Sequence, residues 1–391
     1  MVSNRNEASA PSFNLWERTC VASRLAIATT LLLAWVVGNC WGQRITLRDA
    51  PIVTFPSETD SNSPAHWNNG ILYVFNSLGS PMRSQGFDQF RLGEVIAPSF
   101  NSYRLRRPSI AAPRQAFYRR RQPSNTDSGL TRWIEATWQD SDGTLYAWYH
   151  HEPSGVCPND TLTAPQIGAL RSTDNGASFV DLGIVLTALP AINCDAQNGY
   201  FAGGNGDFSV MFDSRTRYFY FFFSTYAGEV TDQGVAVARM AYTQRDHPGG
   251  HVYKYYNGRW GEPGLGGFAT PIFPAMADWM GPEADSFWGP SVHWNTYLRR
   301  FVMLLNRSCC SDGWPQEGIY ASYNSDISNP QGWSPPKKFL EGAHEPNYMG
   351  GWYPQVLGLN DAALETDKVA GQVARFYLGG RSYWEIVFWK E

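Results

Sequence analysis

One pattern recurs along this chain, and it leaves few folds open. A start marked by an acid, Gly or Pro leads into a short strand, a tight turn and a second, strongly aromatic strand. It appears as DSNSPAHWNNGILYVFNS from Asp60, EATWQDSDGTLYAWYHHE from Glu135, DFSVMFDSRTRYFYFFFS from Asp207 and GPSVHWNTYLRRFVMLLNR from Gly289. A looser copy begins YPQVLG at Tyr353 and resumes at Val373 after an insertion. The starts are 75, 72, 82 and 64 residues apart, so five units of similar size fill the chain beyond its first sixty residues. Turns such as Asn68-Asn69-Gly70 and Asp140-Ser141-Asp142-Gly143 carry the residues that tight hairpins require. Each second strand is nearly continuous in apolar residues, as a strand covered on both faces must be. Weaker strands follow each hairpin, at Ile167–Val180, Gly234 and Gly318–Gly332. Units of four strands repeated radially make a β-propeller, which leaves only short, protected edges. The fold expected is all-β, a five-bladed propeller of four-stranded antiparallel blades spanning residues 43–391, with the strand after Arg44 closing the ring on the last blade.

Composition agrees. Aromatic residues make up 15% of the chain and Gly and Pro number 37 and 25, which suits many short, turn-punctuated strands. A net charge of −4 speaks against nucleic acid as a partner, because phosphate binding needs surplus Lys and Arg. The first 42 residues read as a signal peptide or N-terminal anchor: Arg18 and Arg24 precede an apolar run, Leu25–Val37, that is short for a bilayer span. Secretion, or a periplasmic or cell-surface location, is therefore expected. Membrane contact is expected only if that segment is uncleaved or lipidated, and the protein is expected to be a monomer. Export also alters the meaning of the cysteines. Cys157 and Cys194 sit in turn-rich loops and are the preferred disulfide, while the adjacent Cys309 and Cys310 either bridge or stay as buried thiols. None has the spacing of a zinc site.

Two further motifs bear on the fold and its ligand. Ser172-Thr173-Asp174-Asn175-Gly176-Ala177-Ser178-Phe179 matches the Asp-box, a turn between outer blade strands that carries no chemistry. Seven arginines between Arg104 and Arg121 lie in a Pro-rich stretch, read either as a solvated loop or as a binder of acidic glycans.

Acids at the starts of the first three units, on a five-bladed plan, resemble the family 43 glycoside hydrolases of the arabinanase/xylosidase type. The invertase-like and agarase-associated five-bladed families look similar. The resemblance covers most of the chain as architecture and spacing. It implies that Asp60 is the general base, that Glu135 tunes pKa and orientation, and that Asp207 is the general acid. One departure stands out: the family has Asp second and Glu third, and the two are exchanged here. The resemblance also implies inversion, with the Asp60 and Asp207 carboxyls roughly 6.5–9.5 Å apart to admit a water.

The chemistry has its own logic. Cleaving a glycosidic bond takes one carboxyl to protonate the leaving oxygen and another to activate water, and a third negative charge nearby keeps the acid protonated. Each acid also has a plainer reading, Asp60 and Asp207 as turn formers and Glu135 as a buried strand acid. His150 and Glu152 end the aromatic strand of the second unit and are candidate substrate-binding groups. Trp288 and Trp352, where later units lack acids, offer faces on which sugar rings stack. His293 shares a His-Trp pair with His66, which suits a structural role as well as binding. No cofactor is expected, and a central ion is not readable from sequence. The partner expected is a carbohydrate, cleaved by the protein as an exported glycoside hydrolase; the alternative is a non-catalytic carbohydrate-binding or scaffold propeller. An acid-lined funnel distinguishes the first from the second.

Overall fold

The computed structural model describes residues 43–54, 60–69, 71–76, 88–91, 131–158, 162–176, 178–312, 314–342 and 351–390. The expected leader, the Arg104–Arg121 cluster and the turn residue Gly70 lie outside the described residues. All that follows belongs to the unit Gly42–Glu391.

Among the described residues the chain forms strands β1 (Gln43–Thr54), β2 (Ala65–Asn68), β3 (Ile71–Asn76), β4 (Asp88–Arg91), β5 (Thr131–Gln139), β6 (Leu145–Glu152), β7 (Gln166–Ser172) and β8 (Val180–Leu186). There follow β9 (Asn205–Asp213), β10 (Tyr218–Thr225), β11 (Gly234–Ala241), β12 (Val252–Tyr256), β13 (Arg259–Pro263), β14 (Phe273–Pro274) and β15 (Glu283–Asn295). The last are β16 (Arg300–Asp312), β17 (Gln316–Asn324), β18 (Lys337–Glu341), β19 (Gln355–Gly358), β20 (Val369–Ala370), β21 (Val373–Leu378) and β22 (Arg381–Lys390). They pair as β2-β3-β4, as β5-β6-β7-β8, as β9-β10-β11-β12-β13 with β14 on β11, as β20-β15-β16-β17-β18, and as β19-β21-β22-β1. This is an all-β propeller with antiparallel blades. No helix among the described residues is long and apolar enough to cross a membrane.

Period-two alternation explains how each sheet packs on its neighbours. In β10, Phe219, Phe221 and Phe223 join Trp148 and Ile167 of the β5–β8 sheet, while Tyr220 and Phe222 join Phe301, Met303 and Leu305 of β16. On β16 the other parity, Val302 and Leu304, packs with Phe376, Ile386 and Phe388 of the closing sheet. That sheet in turn meets Leu72 and Val74 of β3, and Phe75 reaches the β5–β8 sheet. Each buried aromatic contributes about 1.5–3 kcal/mol, which is why continuous apolar strands were legible as two-faced. The expected closure is present: β1 pairs antiparallel with β22 from Gln43↔Lys390 to Thr54↔Arg381.

Two of the described sheets carry strands beyond four. The sheet built on β9 and β10 is wider because Val252–Pro263 folds as a hairpin about Asn257-Gly258, both at positive φ (47° and 80°), the geometry of a type I′ turn. The sheet built on β15 and β16 gains β20 as a parallel partner of β15. Elsewhere the turns behave as read. The Asp-box closes β7 to β8, with Asp174 accepting from Ser172 Oγ (2.7 Å), Ser178 N (2.8 Å) and Ser178 Oγ (2.6 Å). Cys157 and Cys194 are joined, with Cα atoms 5.5 Å apart, and Cys309 and Cys310 form a vicinal disulfide.

Candidate active site

The inner strands lose register at the positions that carry the acids. In β5–β6, Ile134 faces Tyr149 and Ala136 faces Trp148, so Glu135 is the extra residue of a bulge. In β9–β10, Gly206 faces Ser224 and Phe208 faces Phe223, so Asp207 is the extra residue, at φ +43°. A bulge re-aims a side chain while bending and twisting its own strand locally, and bulges gather next to active sites for that reason. A third falls at Gly289-Pro290 in β15, between Trp288↔Asn306 and Ser291↔Leu304. Gly289 has φ +59°, and a Cβ there would lie 2.5 Å from Asn306 Nδ2, so the bend needs glycine.

Asp60 arrives differently, on the stretch before β2. Asn62 pins that stretch, donating through Nδ2 to Phe208 O (3.2 Å) beside the Asp207 bulge and to Pro290 O (3.1 Å) in the Gly289-Pro290 bulge. Ser63 exchanges hydrogen bonds with Gln355 at 2.6 and 2.9 Å. Asp60 Oδ1 then accepts from the Tyr353 phenol at 3.0 Å.

Glu135 is fully buried and has three donors. Its Oε1 accepts from Trp133 Nε1 (2.9 Å) and His150 Nδ1 (3.1 Å), and its Oε2 from the Phe208 amide (2.7 Å). His150 stacks on Trp133 with centroids 4.4 Å apart, and its Nε2 lies 3.6 Å from Glu152 Oε1. Gly206 makes room for this ring, since a Cβ there would stand 2.7 Å from His150 Cε1. Burial opposes charge on His150, but the carboxylates on either side outweigh it and hold the imidazolium well above the ordinary histidine range. Breaking a buried pair leaves the partner charge uncompensated at about 3–5 kcal/mol. His150→Gln is therefore expected to lower the unfolding free energy by about 3 kcal/mol in denaturant melts. The loss should be greatest at mildly acidic pH, because a raised histidine stabilises fully below its unfolded pKa near 6.5 and loses that contribution only as pH climbs through its folded value.

Both aspartates hold protons unusually well. Asp60 is pushed up to about 7, by burial first and then by the charges of Glu152 and Asp207. Asp207 is also pushed up to about 7, by burial first and then by Glu135, with His150 and the Tyr226 hydrogen bond pulling the other way. With both carboxyls raised to about 7, one can hold a proton while the other is ionised near neutrality.

The sequence-derived candidates divide cleanly. Asp60, Glu135, His150, Glu152 and Asp207 form one electrostatically coupled cluster. Trp288 and Trp352 lie beside it in an aromatic wall with Tyr226, Trp279, Trp314 and Tyr353. Trp288 and Trp352 meet edge to face at 5.3 Å, and Trp288 Nε1 donates to Ser308 Oγ at 2.9 Å. His293 stands apart, fully buried against Phe388 of β22 and pushed down to about 3 by burial and then by Lys368. The plainer structural reading fits it better. Tyr226 and Tyr353, each a phenol donating to one catalytic-candidate aspartate, were missed. Tyr353 opens the fifth repeat where an acid opens the first, and that correspondence was the available signal.

Glu135, His150 and Asp207 place ligand-type atoms within 4.8 Å of one another. A metal there would have to break the Glu135–His150 pair and compete with three donors already on Glu135, so the trio fits proton handling better than metal binding.

No protein-family model and no curated protein matches the sequence. Solved structures do. A complex of exo-β-1,3-galactanase from Phanerochaete chrysosporium with β-1,3-galactotriose aligns at TM-score 0.39 and 11% identity, over 88% of this chain and 64% of that one. This chain thus spans less than two thirds of that galactanase's length. A putative exo-β-1,3-galactanase from Bifidobacterium bifidum aligns at 0.41 and 13%, over 86% and 91%. A glycosyl hydrolase from Bacteroides ovatus aligns at 0.43 and 12%, over 84% of each chain. Overlaps this low assign no activity to the chain, and a functional reading has to stand on the carboxyl cluster.

Proposed function

We propose that the protein is an exported glycoside hydrolase on a five-bladed propeller, cleaving an oligo- or polysaccharide with inversion. The observation that carries this reading is the pair Asp60 and Asp207, both desolvated, both raised to about 7 and electrostatically coupled beside an aromatic wall. Asp207 keeps the proton because the Glu135 carboxylate stands next to it, and it delivers that proton to the glycosidic oxygen. Asp60 carries the negative charge, stabilised by the Tyr353 phenol, and draws a proton from the attacking water. Glu135 is anchored by Trp133, His150 and the Phe208 amide, so its charge stays in place through the reaction. Trp288 and Trp352 supply stacking faces for sugar rings, and His150 with Glu152 lines the polar side. Export is supported by the Cys157–Cys194 bridge, which persists in oxidising compartments.

The test is incubation of the purified full chain with a panel of plant, algal and microbial polysaccharides and their oligomers, scored by reducing-sugar release. Release from at least one member is expected. Tight binding to a panel member without release would replace this reading by the non-catalytic propeller.

A further inference from the structure

Two hydroxyls from the end of β10 and the residue after it reach Asp207, Ser224 at its carbonyl and Tyr226 at its carboxyl. The Gly289 amide donates to Ser224 Oγ at 3.0 Å. Ser224 Oγ in turn donates to the Asp207 carbonyl at 3.5 Å. Tyr226 donates to Asp207 Oδ2 at 2.5 Å. An amide N–H can only donate, so the serine hydrogen is left to point at the Asp207 carbonyl. Tyr226 is fully buried, and burial followed by the charge of Asp207 holds its phenol well above the ordinary tyrosine value, so it remains a donor across the working pH range.

The ring is also clamped. Phe201 stacks on Tyr226 at 4.2 Å and 11°, and Trp279 meets it edge to face at 4.6 Å. Asn198 braces both neighbours, donating through Nδ2 to Phe201 O (2.8 Å) and Trp279 O (2.7 Å) and accepting from the Tyr200 and Phe201 amides (2.7 Å each). The Cys157–Cys194 disulfide ties down the same loop.

The geometry points to Tyr226 as a positioning residue that commits Asp207 Oδ2 to accepting and leaves Oδ1 to carry the transferable proton. This rests on the glycoside hydrolase reading. A carboxylic acid with a free choice of oxygen spends part of its time with the proton facing the wrong way, and a fixed phenol removes that choice. The same bond favours the ionised carboxyl, so Tyr226 trims a proton affinity that burial, Glu135 and Glu152 raise and that His150 also lowers. Asp60, which Tyr353 serves in the same way, completes the charged groups around it.

Tyr226→Phe keeps the clamped ring and removes only the hydroxyl. The protonated-carboxyl infrared band of Asp207, identified by its loss in Asp207→Asn, should titrate near 7 in the wild-type full chain and about one pH unit higher in Tyr226→Phe, the size of one charge-assisted hydrogen bond. The alkaline limb of kcat/KM should move up with it, and kcat on unactivated oligosaccharides should fall about tenfold. Phe201→Leu, which loosens the clamp on the Tyr226 ring, should move the midpoint the same way by less, and serves if Tyr226→Phe fails to fold. An unmoved midpoint in a folded variant overturns the inference. A wild type that titrates as described but releases no sugar from any panel member breaks the hydrolase reading and with it the catalytic use of the proton, while the infrared shift still supports Tyr226 as the group that fixes the Asp207 proton.

Discussion

Asp207→Asn is expected to slow hydrolysis of unactivated oligosaccharides by about 10²–10⁴-fold, the usual worth of a general acid. Substrates with good leaving groups, which need little protonation, should lose far less. Binding should survive, because Asn keeps the shape and still accepts from Tyr226. The fold should gain. In the unfolded chain Asp207 ionises near 3.8, whereas in the folded protein it holds its proton to about 7. The folded state is therefore favoured fully below the unfolded value, and that advantage is lost as pH rises through 7. Asn does not titrate, so the variant should melt higher than wild type by on the order of 5 °C at pH 8 and by less at pH 5. A gain in stability that accompanies a loss of activity is the mark of a site strained for function.

Asp60→Asn should be as damaging and differ in kind. Activating the attacking water is needed whatever leaves, so the loss, again about 10²–10⁴-fold, should be similar for good and poor leaving groups. Steady-state kinetics on an aryl glycoside and on the matching oligosaccharide separate the two variants. An Asp60→Asn enzyme that recovers on the aryl substrate would mean that Asp60 and Asp207 have exchanged roles. Asp60 is coupled to Glu152 and Asp207, so its removal should also lower the proton affinity of Asp207 and shift the alkaline limb to lower pH.

Much of this arrangement was legible in the sequence because it is written in repeats. Acids in corresponding places in three units have to meet if the units are arranged around an axis, and Asp60, Glu135 and Asp207 do fall in one coupled cluster. The aromatic parity of β10 was legible for a similar reason: YFYFFF allows both faces to be buried and nothing else. What escaped depended on backbone irregularity. Bulges at Glu135, Asp207 and Gly289 decide which way a side chain turns, and neither composition nor spacing marks them. His293 lies just past such a bulge and is turned into the packing against Phe388. Tyr226 follows the last residue of β10 and looks like one more core aromatic; only the bulged Asp207 gives its hydroxyl a partner.

The most direct test of the central claim is proton NMR of the first product released from the best panel substrate, run on wild type, Asp60→Asn and Asp207→Asn under identical conditions. Initial accumulation of the inverted anomer by wild type alone, with neither variant producing it from the unactivated substrate, is the expected result. Equal release by either variant, or a first product that retains its configuration, would contradict the account.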